Sequence, residues 1–160
     1  MNRQIRTDEE LRKASEHLHY EFWMLMSLAN ALASGIASEG WLTNALLESF
    51  IIHLRGLLDF FYGERPKPDD VIAADYSSQG QWDSIKPPLS DALKKARSRA
   101  HKEVAHLTYE RLNVTPETKP WAFLSLASEV QGTMNLFLKN VSKDRLADRW
   151  QGPQAVNREP

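Results

Sequence analysis

The residues of this chain best suited to chemistry are two histidines set among arginines and lysines, in the run Arg97-Ser98-Arg99-Ala100-His101-Lys102-Glu103-Val104-Ala105-His106-Leu107-Thr108. Imidazole exchanges its proton near neutral pH, and a fixed guanidinium neutralises charge that builds on phosphate oxygens. Wound at about 100° per residue, a helix carrying this run turns Leu93, Ala96, Ala100, Val104 and Leu107 to one side as a core face. His106 then falls on one shoulder of that face with Arg99 and Glu103, and His101 on the other with Arg97 and Thr108. Arg99 and His106 are two turns, or about 10 Å, apart along such a helix, so both can address one phosphodiester. The chemistry this permits is metal-independent RNA cleavage, in which a neutral His takes the proton of a 2′-hydroxyl while Arg stabilises the phosphate. His106, Arg99 and His101 are the candidate catalytic residues on this reading, with Lys102, Arg97 and Arg111 as candidate binding residues.

Local charge supports that choice. Residues 90 to 113 carry six Lys or Arg against three Asp or Glu, whereas the whole chain of 160 residues has a formal net charge of -1. Attraction to a polyanion is therefore local and not chain-wide. The plain alternative is the solvated face of an ordinary helix. A second polar group, His53 and Arg55, interrupts an apolar segment. Facing the third helix, these two would complete a binding cleft; otherwise His53 is a hydrogen-bonded core histidine and Arg55 pairs with Asp59 four residues on.

Other chemistries find less support. The chain has no Cys, which excludes disulfides, thiol catalysis and Cys-based metal sites. His17 and His19 diverge on a helix, and His101 and His106 are five apart where a helical zinc pair needs four, so no metal is expected. No glycine-rich phosphate loop, nucleophile elbow or dinucleotide fingerprint appears, and no cofactor is expected. Trp23, Trp41, Trp82, Trp121 and Trp150 read as core and loop anchors. The N-terminus lacks the apolar run of a signal peptide and no segment reads as a membrane span, so a cytoplasmic protein is expected.

The elements that must position these residues are helical. A first helix begins at Thr7, where Thr7-Asp8-Glu9-Glu10 spells a capping box, and carries an apolar stripe from Leu11 to Ile36 through Leu18, Phe22 and Leu25. A second, from about Trp41 to Tyr62, is apolar around more than one face and stops at Gly63, ahead of Pro66 and Pro68. Residues 64 to 89 hold four of the eight prolines and read as a long connection, with one helical turn within Asp69 to Ala74 and Trp82 pinning it to the core. A third helix is capped by Ser90 and runs from Asp91 to about Arg111. A fourth opens near Pro120 with Leu124, Ala127, Val130, Met134, Phe137 and Val141 as its stripe. The spacing predicts an all-α chain, an up-and-down four-helix bundle with a long Pro-containing loop between helices 2 and 3. Residues 1 to 150 form one domain on this reading, and 151 to 160 a flexible tail.

The spacing of Arg99 and His106, the third-helix segment Lys102-Glu103-Val104-Ala105-His106-Leu107-Thr108-Tyr109-Glu110-Arg111, and the second-helix segment Phe50-Ile51-Ile52-His53-Leu54-Arg55-Gly56-Leu57-Leu58-Asp59-Phe60-Phe61 resemble the HEPN superfamily of small helical bundles, over roughly residues 40 to 112. In its commoner spelling the Arg stands where this chain has His101, with a polar residue at the place of Lys102. The resemblance implies a protein that binds RNA or a nucleotide, a metal-independent ribonuclease of toxin–antitoxin or defence type, acting as a homodimer and partnered by an antitoxin. The competing expectation is a noncatalytic dimeric interaction bundle, in which the basic helix contacts a partner.

Overall fold

The computed structural model describes residues 4–36 and 40–151. Among the described residues there is no strand, and the α-helices are α1 (Asp8–Ser34), α2 (Trp41–Tyr62), α3 (Gln81–Ile85), α4 (Asp91–Arg99) and α5 (Phe123–Asn140). The capping box at the start of α1 is formed. The Glu10 amide donates to the Thr7 hydroxyl at 3.2 Å, and the Thr7 amide donates back to the Glu10 carboxylate at 2.8 Å. These bonds hold the Glu10 carboxyl below its ordinary pKa, the Thr7 amide contributing most. At the other end Gly35 sits at φ 67, a left-handed cap that glycine adopts without strain. Gly63 closes α2 for a different reason, since a Cβ there would come within 2.6 Å of the Asp59 carbonyl oxygen.

Helix α1 packs along α2 and α5, and these three share the core. Leu11, Phe22 and Leu25 of α1, Phe50, Leu54 and Leu58 of α2, and Val130, Met134 and Phe137 of α5 are all buried. Two predicted stripe members lie outside it: Ile36 comes after α1 ends and is exposed, and Leu124 in the first turn of α5 is half exposed. Helix α5 itself starts at Phe123, three residues after Pro120, which stays outside the helix.

The connection from 64 to 89 is structured more than its prolines suggested. It holds a 3₁₀ turn at Ala73–Tyr76, later than the turn expected within Asp69 to Ala74, and the short α3. Two aromatic side chains fasten it. The Tyr76 hydroxyl donates to the Leu11 carbonyl at 2.9 Å, and the Trp82 indole donates to the Phe61 carbonyl at 2.9 Å, as the pinning role of Trp82 required. Burial pushes the Tyr76 phenol far above its usual pKa, so it remains a donor. Phe60, Phe61, Tyr76 and Trp82 surround Phe137, with ring centroids 5.2 to 6.1 Å away. Edge-on geometry of this kind adds about 0.5 to 1.5 kcal/mol per pair beyond burial.

After α5 the chain turns back onto α1. Ser15 organises the seat: its hydroxyl accepts from the Ala147 amide at 2.7 Å and its carbonyl accepts from the Trp150 indole at 2.8 Å. Gln151, the first residue of the expected tail, donates to the Leu146 carbonyl, and the remainder of that tail lies outside the described residues.

The third segment departs most from the periodicity. It does not run to Arg111 as one helix; α4 widens into a π turn at Ala100–Ala105, and His106 is extended at φ -130, ψ 145. Residues beyond the π turn replace the missing helical turn. The Thr108 hydroxyl donates to the Lys102 carbonyl at 2.6 Å and the Arg111 guanidinium to the Val104 carbonyl at 3.2 Å, occupying acceptors that further helical amides would have met. Leu93, Ala96 and Ala100 are buried as the core face required, whereas Leu107 is exposed.

Candidate functional site

The break in α4 rearranges the predicted site. Arg99 and His106 no longer share a helical shoulder, and their side chains serve different surroundings. Arg99 is mostly buried and fully engaged: its guanidinium pairs with both oxygens of Glu103 at 2.9 to 3.1 Å and donates to the carbonyls of Pro120 and Lys119. It also lies over the Trp121 ring at 4.1 Å from the centroid. Arg99 thus straps the segment before α5 to α4, and the pairing of Arg99 with His106 on one phosphate is replaced by a structural role. His106 instead meets His101, with ring centroids 4.4 Å apart, and both residues are exposed.

Arg97, His101 and Lys102 do converge. They line one cleft of about 700 Å³ together with Lys86 and Lys94, over a partly apolar floor that includes Tyr62 and Leu89. His106 reaches this cleft only through its contact with His101. Positions 94, 97 and 101 repeat at three and four residues and so share one helical face, a spacing legible in the sequence. Lys86 was missed because it arrives from the connection after α3, which no helical period links to α4.

Three of the cations hold carboxylates: Lys86 with Asp83 at 2.6 Å, Lys94 with Asp91 at 3.0 Å and Arg97 with Asp59 at 2.6 Å. None of those carboxylates lines the cleft, whose one acidic lining residue is Glu64. Pairs this exposed are worth roughly 0 to 1 kcal/mol each, so a phosphate can exchange with them. Lys102 has no carboxylate partner among the described residues. Its ammonium is the readiest cation of the cleft.

His53 and Arg55 do not face α4 together. His53 is buried and its Nδ1 meets the Glu21 carboxylate of α1 at 2.7 Å, with the Tyr20 ring edge-on at 5.7 Å. It is the hydrogen-bonded core histidine of the plainer expectation, and Glu21 could not be paired with it from sequence because the two are 32 residues apart. Arg55 sits 3.7 Å from Asp59, which also holds Arg97. Arg111, capping the Val104 carbonyl, lies away from the cleft lining.

Among the described residues no group of three or more His, Cys, Asp or Glu side chains is placed to hold a metal ion, and no helix is long and apolar enough to cross a membrane. No protein-family model, curated protein or solved structure matches the chain.

Proposed function

We infer that the chain is a HEPN-like helical protein, an up-and-down four-helix bundle that binds RNA or a nucleotide in the cleft beside α4. The observation that carries this reading is the convergence of Lys86, Lys94, Arg97, His101 and Lys102 on one cleft of about 700 Å³. Cations at the rim suit phosphate, and the Tyr62 and Leu89 floor suits the less polar sugar and base. The volume falls within the roughly 300 to 1,000 Å³ of small-ligand sites. The stronger form of the reading is a metal-independent ribonuclease of toxin–antitoxin or defence type, working in the cytoplasm under the control of an antitoxin. There His101 or His106 would take the proton of the 2′-hydroxyl. With ring centroids 4.4 Å apart the two imidazoles are too close to stand on opposite sides of a phosphate, so water would supply the proton to the departing 5′-oxygen.

Binding and cleavage are tested together with a labelled single-stranded RNA at low salt. His101→Ala and His106→Ala should keep the wild-type unfolding midpoint, since both side chains are exposed, and one of the two should remove any scission the wild type shows. Wild-type protein that neither binds nor cuts the RNA would defeat the reading.

A second reading, the noncatalytic homodimeric interaction bundle, is favoured by one stripe of α2. Trp41, Ala45, Glu48 and Ile52 repeat at three and four residues, and Trp41 is 81 % and Ile52 64 % exposed. Light scattering should return twice the chain mass for the wild type and the single mass for Trp41→Asp with Ile52→Glu. A monomer at every concentration would rule it out.

A further inference from the structure

We propose that the 3₁₀ turn Tyr109–Asn113, with Leu107 before it, is a preformed docking surface for an acidic amphipathic segment of a partner protein. Leu107, Tyr109 and Leu112 are 91 %, 90 % and 81 % exposed. With three residues per turn, Tyr109 and Leu112 lie on one face of the 3₁₀ helix. The rest of the turn is occupied elsewhere. Arg111 reaches back to the Val104 carbonyl, and Glu110 accepts from the Asn113 amide at 3.4 Å beside a cavity shared with Lys95 and Lys102. Together with the bond from Thr108 to the Lys102 carbonyl, these polar ties hold the backbone in place. The order of the segment therefore does not come from burying its large side chains, which are left facing water. Large apolar side chains left almost fully exposed on an ordered turn, two of them on one face, mark a protein contact.

Charge selects the occupant. Lys95, Lys102 and Arg111 have no carboxylate partner among the described residues. Of the nearby acids, Glu103 is committed to Arg99, whereas Glu110, bonded only by the neutral Asn113 amide, keeps its charge and offsets one of the three cations. The surplus favours a segment with Asp or Glu on its flanks, and the exposed trio calls for large apolar anchors at helical spacing. The antitoxin-controlled form of the RNA reading already calls for a protein partner, and this inference rests on that form only in deepening it, by naming the surface and the chemistry of the partner's segment; the self-association reading requires none. Seated here, the segment would extend toward the neighbouring His101 and His106.

The test selects a displayed library of random helical peptides on the full chain and counter-selects on the Leu107→Ser, Tyr109→Ser, Leu112→Ser variant. Removing three exposed side chains leaves the core intact, which circular dichroism and the unfolding midpoint check. Enriched peptides should combine apolar residues three or four apart with an excess of Asp and Glu. As synthetic peptides they should bind the wild type about tenfold or more tighter than the variant, the usual effect of losing interface anchors. Replacing their acids by Gln, or raising salt, should weaken them. The proposal is overturned if nothing is enriched over the variant, or if the enriched peptides are neutral or basic. It is equally overturned if sedimentation shows a wild-type dimer that the variant dissociates, because a second copy then covers the face. None of these readouts involves RNA, so this proposal and the RNA reading can fail separately.

Discussion

Arg99 illustrates how a residue chosen for chemistry can be taken up by structure. A mostly buried guanidinium has to find acceptors for its donors, and Arg99 finds two carboxylate oxygens, two carbonyls and an aromatic face. Charge-assisted hydrogen bonds contribute about 1.5 to 3 kcal/mol and a cation–π contact about 0.5 to 2. Arg99→Ala should therefore lower the unfolding free energy by about 2 to 4 kcal/mol in urea titrations. Arg99→Lys should recover little of it, because an ammonium cannot make the fork contact with Glu103 or stack on Trp121. A variant as stable as the wild type would refute the strap. The same substitution should leave the RNA affinity per folded molecule nearly unchanged, which separates Arg99 from the cleft residues. At this scale the sequence was legible where partners are close in the chain, as for Arg55 and Asp59. It was silent where they are distant, as for His53 with Glu21 and Arg97 with Asp59.

The helix ends show which local rules govern an element. Thr7 and Gly35 bound α1 where capping chemistry places them, because both ends are settled by residues within a turn of the boundary. The α4 break escaped the same reasoning. Ala100, Val104 and Leu107 keep the helical period, while the side chains of Thr108 and Arg111 cap carbonyls that a longer helix would have used internally. An apolar period reports what a helix would bury and not whether polar side chains downstream will end it. The α1 cap also fixes a pH dependence. The Glu10 carboxyl is held below the ordinary carboxylate pKa by bonds from Thr7, so the folded state binds its proton less readily than the unfolded chain does. The contribution is present above that value and is lost as pH falls below it. Glu10→Gln should be less stable than the wild type at neutral pH, and the two urea midpoints should converge in acid. A gap that stays constant from neutral to acid pH would show that the Glu10 charge contributes nothing to the cap.

On the scale of the whole molecule, the all-helical class follows from stripes whose apolar members, Leu11 to Leu25, Phe50 to Phe61 and Val130 to Phe137, meet in one core. The long connection joins that core through two aromatic hydrogen bonds that composition does not encode. The cleft is likewise a product of assembly, since Lys86 and Tyr62 come to α4 from other elements. Its function as a phosphate-binding site is the central claim, and the salt dependence of RNA binding tests it most directly. Fluorescence anisotropy of a labelled single-stranded RNA, read across a range of salt concentrations, should give a log K that falls linearly with log[salt]. Lys102→Ala should weaken binding at every salt concentration and reduce the slope by about 0.7, the share of one single-strand phosphate contact, while Arg99→Ala leaves the slope unaltered. An affinity independent of salt, or a slope identical in the wild type and Lys102→Ala, would contradict the claim.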